Sequence, residues 1–160
     1  MSMRRTAALA GMALLLCSPS QAQENHGEYL VTIMDCSGCH TPGALRGEPD
    51  MARYLGGSDV GFELPGLGIF YPPNLTNDET GLASWSEDDI VTAIRTGVRP
   101  DGRGLAPIMP YHAYNALTDE DSYAIAGYLK SLPPVSNDVP DPVGPDEKAP
   151  LPYLTLAMPE

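Results

Sequence analysis

The segment Ile33–Gly43 reads IMDCSGCHTPG, in which Cys36 and Cys39 are followed directly by His40. Two cysteines at this spacing occur in redox-active dithiols and in structural zinc sites. When a histidine follows them, they also occur as the attachment point of a haem. The three alternatives imply different chemistry for the whole chain, and the rest of the sequence distinguishes them.

The dithiol and zinc alternatives fit the surrounding sequence poorly. A redox dithiol normally lies where a strand leads into a helix, whereas a helical pattern precedes Cys36. A structural zinc site needs four ligands. Beyond the first 22 residues, the only histidines outside the segment are His26 and His112, at no helpful spacing.

Haem attachment accounts for every reactive group of the motif Cys36–His40. The thiols of Cys36 and Cys39 add to the two haem vinyl groups, and His40 reaches the iron as one axial ligand. The motif occurs once in the chain. We therefore expect one covalently attached haem c.

The second axial position of the iron has several candidate ligands. Met109 lies in the segment LAPIMPYH, where Pro107 and Pro110 stiffen an extended loop. His112 is the second candidate, and a simple core-packing role for Met109 is the alternative. The remaining candidates lie near the motif or near a chain end: Met34, Met51, Met158 and His26.

The first 22 residues have the features of a secretory signal peptide. Arg4 and Arg5 precede an apolar run at residues 6–16, and residues 20–22 form a small-x-small cleavage site. We expect the mature protein to begin at Gln23 and to be periplasmic.

A lipoprotein with Cys17 as its modified N-terminus is the alternative interpretation of this segment. Leu16 disfavours it, because the residue before a lipidated cysteine is normally small. No other apolar run is long enough to predict a membrane helix.

The charge of the chain restricts its partners. The sequence has 9 Lys and Arg against 21 Asp and Glu. Removal of Arg4 and Arg5 with the signal peptide leaves seven basic residues, and a net charge of −14. We therefore expect no nucleic-acid partner and no binding to anionic lipid.

The periodicity of apolar residues predicts short helices separated by long loops. Ser86 and Thr118 are expected N-caps, each followed three residues later by an aspartate. The predicted helices occupy residues 24–36, 86–96 and 118–132, with one further turn around Tyr114.

Two segments lack a regular pattern. Residues 41–84 contain recurrent Gly and Pro and no clean alternating run, although a sheet is not excluded. Residues 133–160, the proline-rich tail, contain eight prolines and are expected to extend outside the core. Residues 23–132 then form one domain of all-α class. Its long loops need a large body such as haem to pack against.

Three segments of the sequence resemble class I cytochromes c, over roughly residues 26–135. They are GEYLVTIMDCSGCHTPG, YPPNLTNDETGLASWSEDDIVTAIRTG and PIMPYHAYNALTDEDSYAIAGYLKSLPPV. The last two are similar to the c-type modules that serve membrane-bound alcohol, aldehyde and related periplasmic dehydrogenases. The resemblance implies a single-electron carrier, with a dehydrogenase as donor and an oxidase or another cytochrome as acceptor. It agrees with His40 and Met109 as axial ligands.

The resemblance also implies that the first and last helices cross at Gly27, against Tyr128 or Tyr123. With a haem in place, further residues are expected to line its pocket. Trp85 and Arg95 are candidate partners of a haem propionate, although Arg95 can equally complement the helix C-terminus at the surface. The other candidates are Asn74 as a hydrogen-bond donor and Tyr71 and Tyr111 at the haem edge, with core packing as the alternative for both tyrosines.

A haem enzyme or sensor with an open distal site is the alternative function. It requires Met109 to stand off the metal and a distal acid–base pair to replace it. His112 is the one candidate base, and the sequence offers it no clear partner. The sequence therefore favours an electron carrier over an enzyme.

Overall fold

The computed structural model describes residues 19–159, and side-chain surroundings from residue 26 onward. The predicted signal peptide lies outside the described residues except for positions 19–22, and Cys17 lies outside them altogether. Within the described chain, no helix combines the length and the apolar character that crossing a membrane requires.

Five α-helices and a small sheet make up the regular structure of residues 19–159. The helices are α1 (Pro19–Ile33), α2 (Cys36–His40), α3 (Glu87–Thr96), α4 (Tyr111–Tyr114) and α5 (Asp119–Ser131). The strands are β1 (Gly61–Leu64), β2 (Gly68–Phe70) and β3 (Tyr153–Leu154), and single 3₁₀ turns lie at Ala44–Arg46 and Met51–Arg53.

The predicted starts of α3 and α5 are confirmed. Ser86 accepts a hydrogen bond from the backbone N–H of Asp89, and the Asp89 carboxylate accepts one from the Ser86 N–H in return. Thr118 caps α5 by accepting from the N–H of Asp121. These bonds satisfy N–H groups that a helix start otherwise leaves unpaired, which fixes both boundaries.

The first helix differs from its prediction at the C-terminal end. It was expected to run into Cys36, but α1 ends at Ile33, and Asp35 adopts a left-handed conformation with φ of 53°. The Asp35 carboxylate lies over Gly38, where a Cβ atom would stand 2.4 Å from Asp35 Oδ2. A larger residue at this position would require the Asp35 carboxylate to move, so glycine suits the close start of the short helix α2.

The crossing of α1 and α5 occurs at Gly27. A Cβ at Gly27 would lie 2.1 Å from the carbonyl oxygen of Ala124 and 2.7 Å from Cβ of Tyr128. The predicted crossing with Tyr128 is therefore confirmed. Tyr123 is exposed instead and donates its hydroxyl to Asp88 on α3.

The main core lies between α1, α3 and α5. Its buried members are Leu30, Val31, Leu55, Leu82, Ile90, Ala124, Ile125, Ala126 and Leu129. Cys36 and Trp85 pack against this cluster at its edge. The core thus holds the motif helix in place from one side.

The three-stranded sheet corrects the all-α prediction, although the fold is mainly helical as expected. Its strand order is β2-β1-β3, with β1 antiparallel to β2 and parallel to β3. The strands contain four, three and two residues. Elements this short are below the length at which alternation becomes recognisable, and β3 comes from the far end of the chain.

The proline-rich tail is extended as predicted, but the expectation that it stands outside the core is wrong. Val143 is 9% exposed and packs with Ile69 and Tyr71 in a second core cluster. Val143 and Ile69 exchange backbone hydrogen bonds of 2.8 and 2.9 Å. Because the tail contributes strand pairing and buried side chains, it is part of the folded body.

Candidate functional site

The short helix α2 places the two motif cysteines about one turn apart. Both thiols are free and half-buried. Burial, with the nearby Asp35 charge adding to it, raises the pKa of Cys36 to about 11 and shifts that of Cys39 upward as well. A redox-active dithiol requires a depressed thiol pKa, so these directions oppose the dithiol alternative.

His40 is buried and held by one hydrogen bond. Its Nδ1 donates to the carbonyl oxygen of Pro73 over 2.8 Å, and its imidazole is 6% exposed. Because a carbonyl only accepts, Nδ1 carries the proton of the neutral ring and Nε2 keeps a free lone pair. Burial lowers the pKa of His40, which favours that neutral form.

A haem c fits this donor set. Two half-buried thiols stand beside a neutral, oriented imidazole, and ligating histidines commonly donate their second nitrogen to a carbonyl in this way. The structure brings together no group of three or more metal-ligating His, Cys, Asp or Glu side chains among the described residues. The two thiols and the oriented imidazole suit a metal delivered within a porphyrin.

Met109 lies in the Met109 loop, residues 105–110, which leads into α4. Its N–H donates to Ala106 O over 2.9 Å, and its carbonyl accepts from Tyr111 N over 2.8 Å. The side chain is half-buried. Two turns thus fix the backbone of Met109 directly before α4.

Tyr114 on α4 is a further residue near the motif, and sequence reasoning did not identify it. Burial raises the pKa of Tyr114 to about 12, with Cys36 and Cys39 contributing in the same direction. The Tyr114 hydroxyl therefore lies within electrostatic range of both motif cysteines. A tyrosine at this position carries no sequence signal that distinguishes it from an ordinary core tyrosine.

The other candidate axial ligands have environments that suit ligation less well. Met51 is 63% exposed and Met158 is 77% exposed. His26 Nε2 is bonded to Asp121 Oδ1 at 2.8 Å, across the contact between α1 and α5. His112 is exposed, and Met34 packs against the main core.

Trp85 packs at the edge of the main core, and Tyr111 begins α4 directly after the Met109 loop. Cys36 packs against the same core. The Tyr111 ring covers Gly97 so closely that a Cβ there would stand 2.8 Å from it. Gly97 has a φ of 74°, so both its conformation and its contact with Tyr111 favour glycine.

Arg95 is used elsewhere in the structure. Its Nη1 donates to Asp119 Oδ1 over 2.6 Å, which ties the end of α3 to the start of α5. This ion pair favours the surface role over a contact with a propionate.

Asn74 and Tyr71 also have structural partners. The Asn74 amide donates to Thr80 Oγ1 and to the Val135 carbonyl, which uses both of its N–H bonds. Tyr71 packs in the second core cluster and donates its hydroxyl to Leu151 O over 2.8 Å. In this structure Asn74 has no donor left for a propionate, and Tyr71 supports the tail.

Comparison with known proteins agrees with this site. The family model for cytochrome c matches residues 25–133. The chain is 33% identical over 147 residues to the cytochrome c subunit of alcohol dehydrogenase (quinone) from Gluconobacter oxydans, an alignment that covers 86% of this chain. It is 36% identical over 120 residues, 74% of this chain, to the fructose dehydrogenase cytochrome subunit of Gluconobacter japonicus.

A third relative has a similar description. The cytochrome c subunit of gluconate 2-dehydrogenase from Pantoea cypripedii is 34% identical over 131 residues, 78% of this chain. The alignments cover 29%, 23% and 28% of these three relatives. The chain thus spans less than a third of the length of these curated relatives.

Proposed function

Because the chain belongs to the cytochrome c family, we propose that it is a periplasmic single-electron carrier with one haem c attached at Cys36 and Cys39. His40 and Met109 are the proposed axial ligands of the iron. Trp85 and Tyr111 are proposed to line the pocket. The observation that carries the proposal is the buried imidazole of His40, fixed by Pro73 within a Cys-x-x-Cys-His motif.

The haem, when bound, supplies one-electron exchange at its iron. Pro73 holds the His40 ring in one tautomer and orientation, so that Nε2 keeps its lone pair in both oxidation states. The thioether of Met109 favours the ferrous state and so raises the potential. With both axial positions filled by protein, oxygen and peroxide are kept from the metal.

A periplasmic dehydrogenase is the proposed electron donor, and an oxidase or another cytochrome the proposed acceptor. Support comes from relatives described as cytochrome subunits of alcohol, fructose and gluconate dehydrogenases. The excess of 21 acidic over 9 basic residues suits a partner with a basic surface. Electrostatic steering raises association by about 10- to 1,000-fold at low salt and weakens as salt screens it.

Ligand binding separates this function from a haem enzyme or sensor. Carbon monoxide is added to the reduced protein and cyanide to the oxidised protein, and the visible spectrum is followed. An electron carrier with two protein ligands is expected to bind either molecule slowly or not at all. Rapid binding by most of the iron would instead indicate an open distal site.

Attachment and partner choice are tested separately. Cys36→Ala and Cys39→Ala should sharply reduce the yield of mature holoprotein, because the loops then lack the body on which they pack. A denaturing gel stained for haem reports covalent attachment.

Reduction by a purified dehydrogenase should slow as salt rises, and a rate that does not change with salt would contradict electrostatic steering.

A further inference from the structure

We propose that Arg99, held over the ring of Trp85, is the residue that binds a carboxylate of the haem, the role for which Arg95 was the sequence candidate. The inference rests on the proposed function, since it requires a haem at Cys36 and Cys39. It adds a residue that positions the cofactor and sets the charge beside it. The carboxylate concerned is a haem propionate.

The arginines of the described chain divide into two groups. Four of them have a carboxylate oxygen within 2.9 Å: Arg46 with Asp59, Arg53 with Asp50, Arg95 with Asp119 and Arg103 with Asp101. Arg99 is the fifth, and its nearest carboxylate contact is 3.5 Å, from Nε to Asp101 Oδ2. That carboxylate is already engaged at 2.9 Å by Arg103. Arg99 is therefore the arginine with free capacity for an anion.

The Nε of Arg99 is buried and has no hydrogen-bond partner, the one such buried side-chain nitrogen or oxygen in the described part of the chain. A buried donor left unpaired destabilises the fold, and more so when it is charged. Proteins therefore rarely keep such a group without a partner. An anionic oxygen from a bound molecule would satisfy it.

Trp85 determines how the guanidinium is presented. The Arg99 Cζ lies 5.2 Å from the centroid of the Trp85 ring, within the range of a cation–π interaction. Stacking on an aromatic face restrains the planar group and leaves its N–H edge available for two parallel bonds to a carboxylate. Trp85 itself packs at the edge of the main core, and Cys36 packs against the same core, so the stack and the motif share one support.

The backbone also connects Arg99 to the Met109 loop. It belongs to the turn that joins α3 to the Met109 loop, where Arg99 N donates to Arg103 O and Leu105 N donates to Gly97 O. Gly97, two residues earlier, lies under the Tyr111 ring. One turn thus connects Arg99 to Met109, so that carboxylate binding at Arg99 would also steady the loop that supplies the second axial ligand.

The test compares Arg99→Met with Arg95→Met in the holoprotein. Loss of a positive charge beside the haem disfavours the ferrous state, so Arg99→Met should lower the ferrous-to-ferric ratio at a fixed ambient potential about tenfold. For a one-electron couple this equals about 59 mV in midpoint potential. Arg95→Met removes the same charge from a residue already paired with Asp119 and should shift the ratio less than twofold.

Arg99→Lys supplies the second measurement, and it applies even if Arg99→Met fails to fold. Lysine keeps the positive charge, so the midpoint potential should stay close to that of the wild type. Lysine cannot form two parallel hydrogen bonds to a carboxylate, however. The carboxylate bands of the redox-induced infrared difference spectrum should shift. Those bands report the bonding of the carboxylate itself, which a purely structural role for Arg99 would not alter.

Equal potential shifts in Arg99→Met and Arg95→Met would overturn the proposal, and so would unchanged carboxylate bands in Arg99→Lys. Failure of the proposed function looks different. If Met109 is not an axial ligand, carbon monoxide binds rapidly while the haem stays attached. The comparison of Arg99 with Arg95 can still be made in that protein.

Discussion

The side-chain amide of Asn74 donates a hydrogen bond of 2.7 Å to the backbone carbonyl of Val135. The same amide donates to Thr80 Oγ1, and its oxygen accepts from both N and Oγ1 of Thr76. Asn74 is 1% exposed. A single buried side chain therefore ties the beginning of the tail to the loop that precedes α3.

Replacement of Asn74 by alanine should lower the free energy of unfolding by about 3 kcal/mol, because it leaves several buried polar groups unpaired. The neighbouring Pro73 carbonyl, which orients His40, should also become less well fixed. Urea unfolding of the oxidised holoprotein measures the loss. Asn115→Ala, at an exposed position, is the control, and a loss of equal size there would contradict the role of Asn74.

Truncation of the tail should cost stability in two distinguishable steps. Ending the chain at Val135 removes Val143 and the Leu151 carbonyl that pairs with Tyr71, so the melting temperature should fall by several degrees. Ending it at Leu154 removes residues 155–160, of which 155–159 are exposed, and should leave the melting temperature unchanged. If the protein that ends at Val135 melts at the same temperature as the full chain, the tail is a spacer that contributes nothing to the fold.

The helix crossing gives a matched pair of glycine substitutions. Gly27→Ala places a methyl group 2.1 Å from the Ala124 carbonyl, so α1 and α5 must separate, and we expect a loss of about 2–3 kcal/mol. Gly127→Ala on α5 meets nothing closer than 3.9 Å and should gain up to about 1 kcal/mol from helix propensity. Both are measured by urea unfolding, and similar effects at the two sites would refute the close crossing.

Asp121 should contribute to stability in a pH-dependent manner. The hydrogen bond from His26, and then that from Thr118, lower the pKa of this carboxyl below its ordinary value. A depressed carboxyl pKa stabilises the fold above the ordinary value of about 3.9 and loses that contribution as pH falls through the folded-state pKa. The melting temperatures of wild type and Asp121→Asn should therefore differ at pH 6 and converge below about pH 4. A constant difference would exclude this linkage.

Much of the fold follows from local sequence signals. Ser86 and Thr118 mark the starts of α3 and α5 because a capping side chain and its partner lie within four residues. The end of α1 did not follow, since Asp35 takes a left-handed conformation there and no Gly or Pro in residues 28–37 marks the break. The sheet was missed because β1 pairs with β3, a two-residue strand about 90 positions away.

Some residues of the site can likewise be recognised from the sequence, and others cannot. Cys36, Cys39 and His40 are recognisable because their chemistry requires that spacing along the chain. Arg95 was the arginine that the sequence favoured, and only distant partners separate it from Arg99: Asp119 engages Arg95, and Trp85 lies under Arg99. The hydrogen bond from Asn74 to Val135 has no local sequence signal either, because Val135 lies beyond the last helix.

The central claim, a carrier with His40 and Met109 on the iron, is tested most directly by the midpoint potential of Met109→Ala beside that of Met51→Ala. Alanine cannot ligate, and axial ligation is among the strongest influences on a haem potential within a range of about 0.8 V. The account predicts that Met109→Ala retains its haem but has a clearly lower potential and an altered visible spectrum. Met51→Ala, at a position 63% exposed, should match the wild type. An unchanged potential and spectrum in Met109→Ala would contradict the assignment.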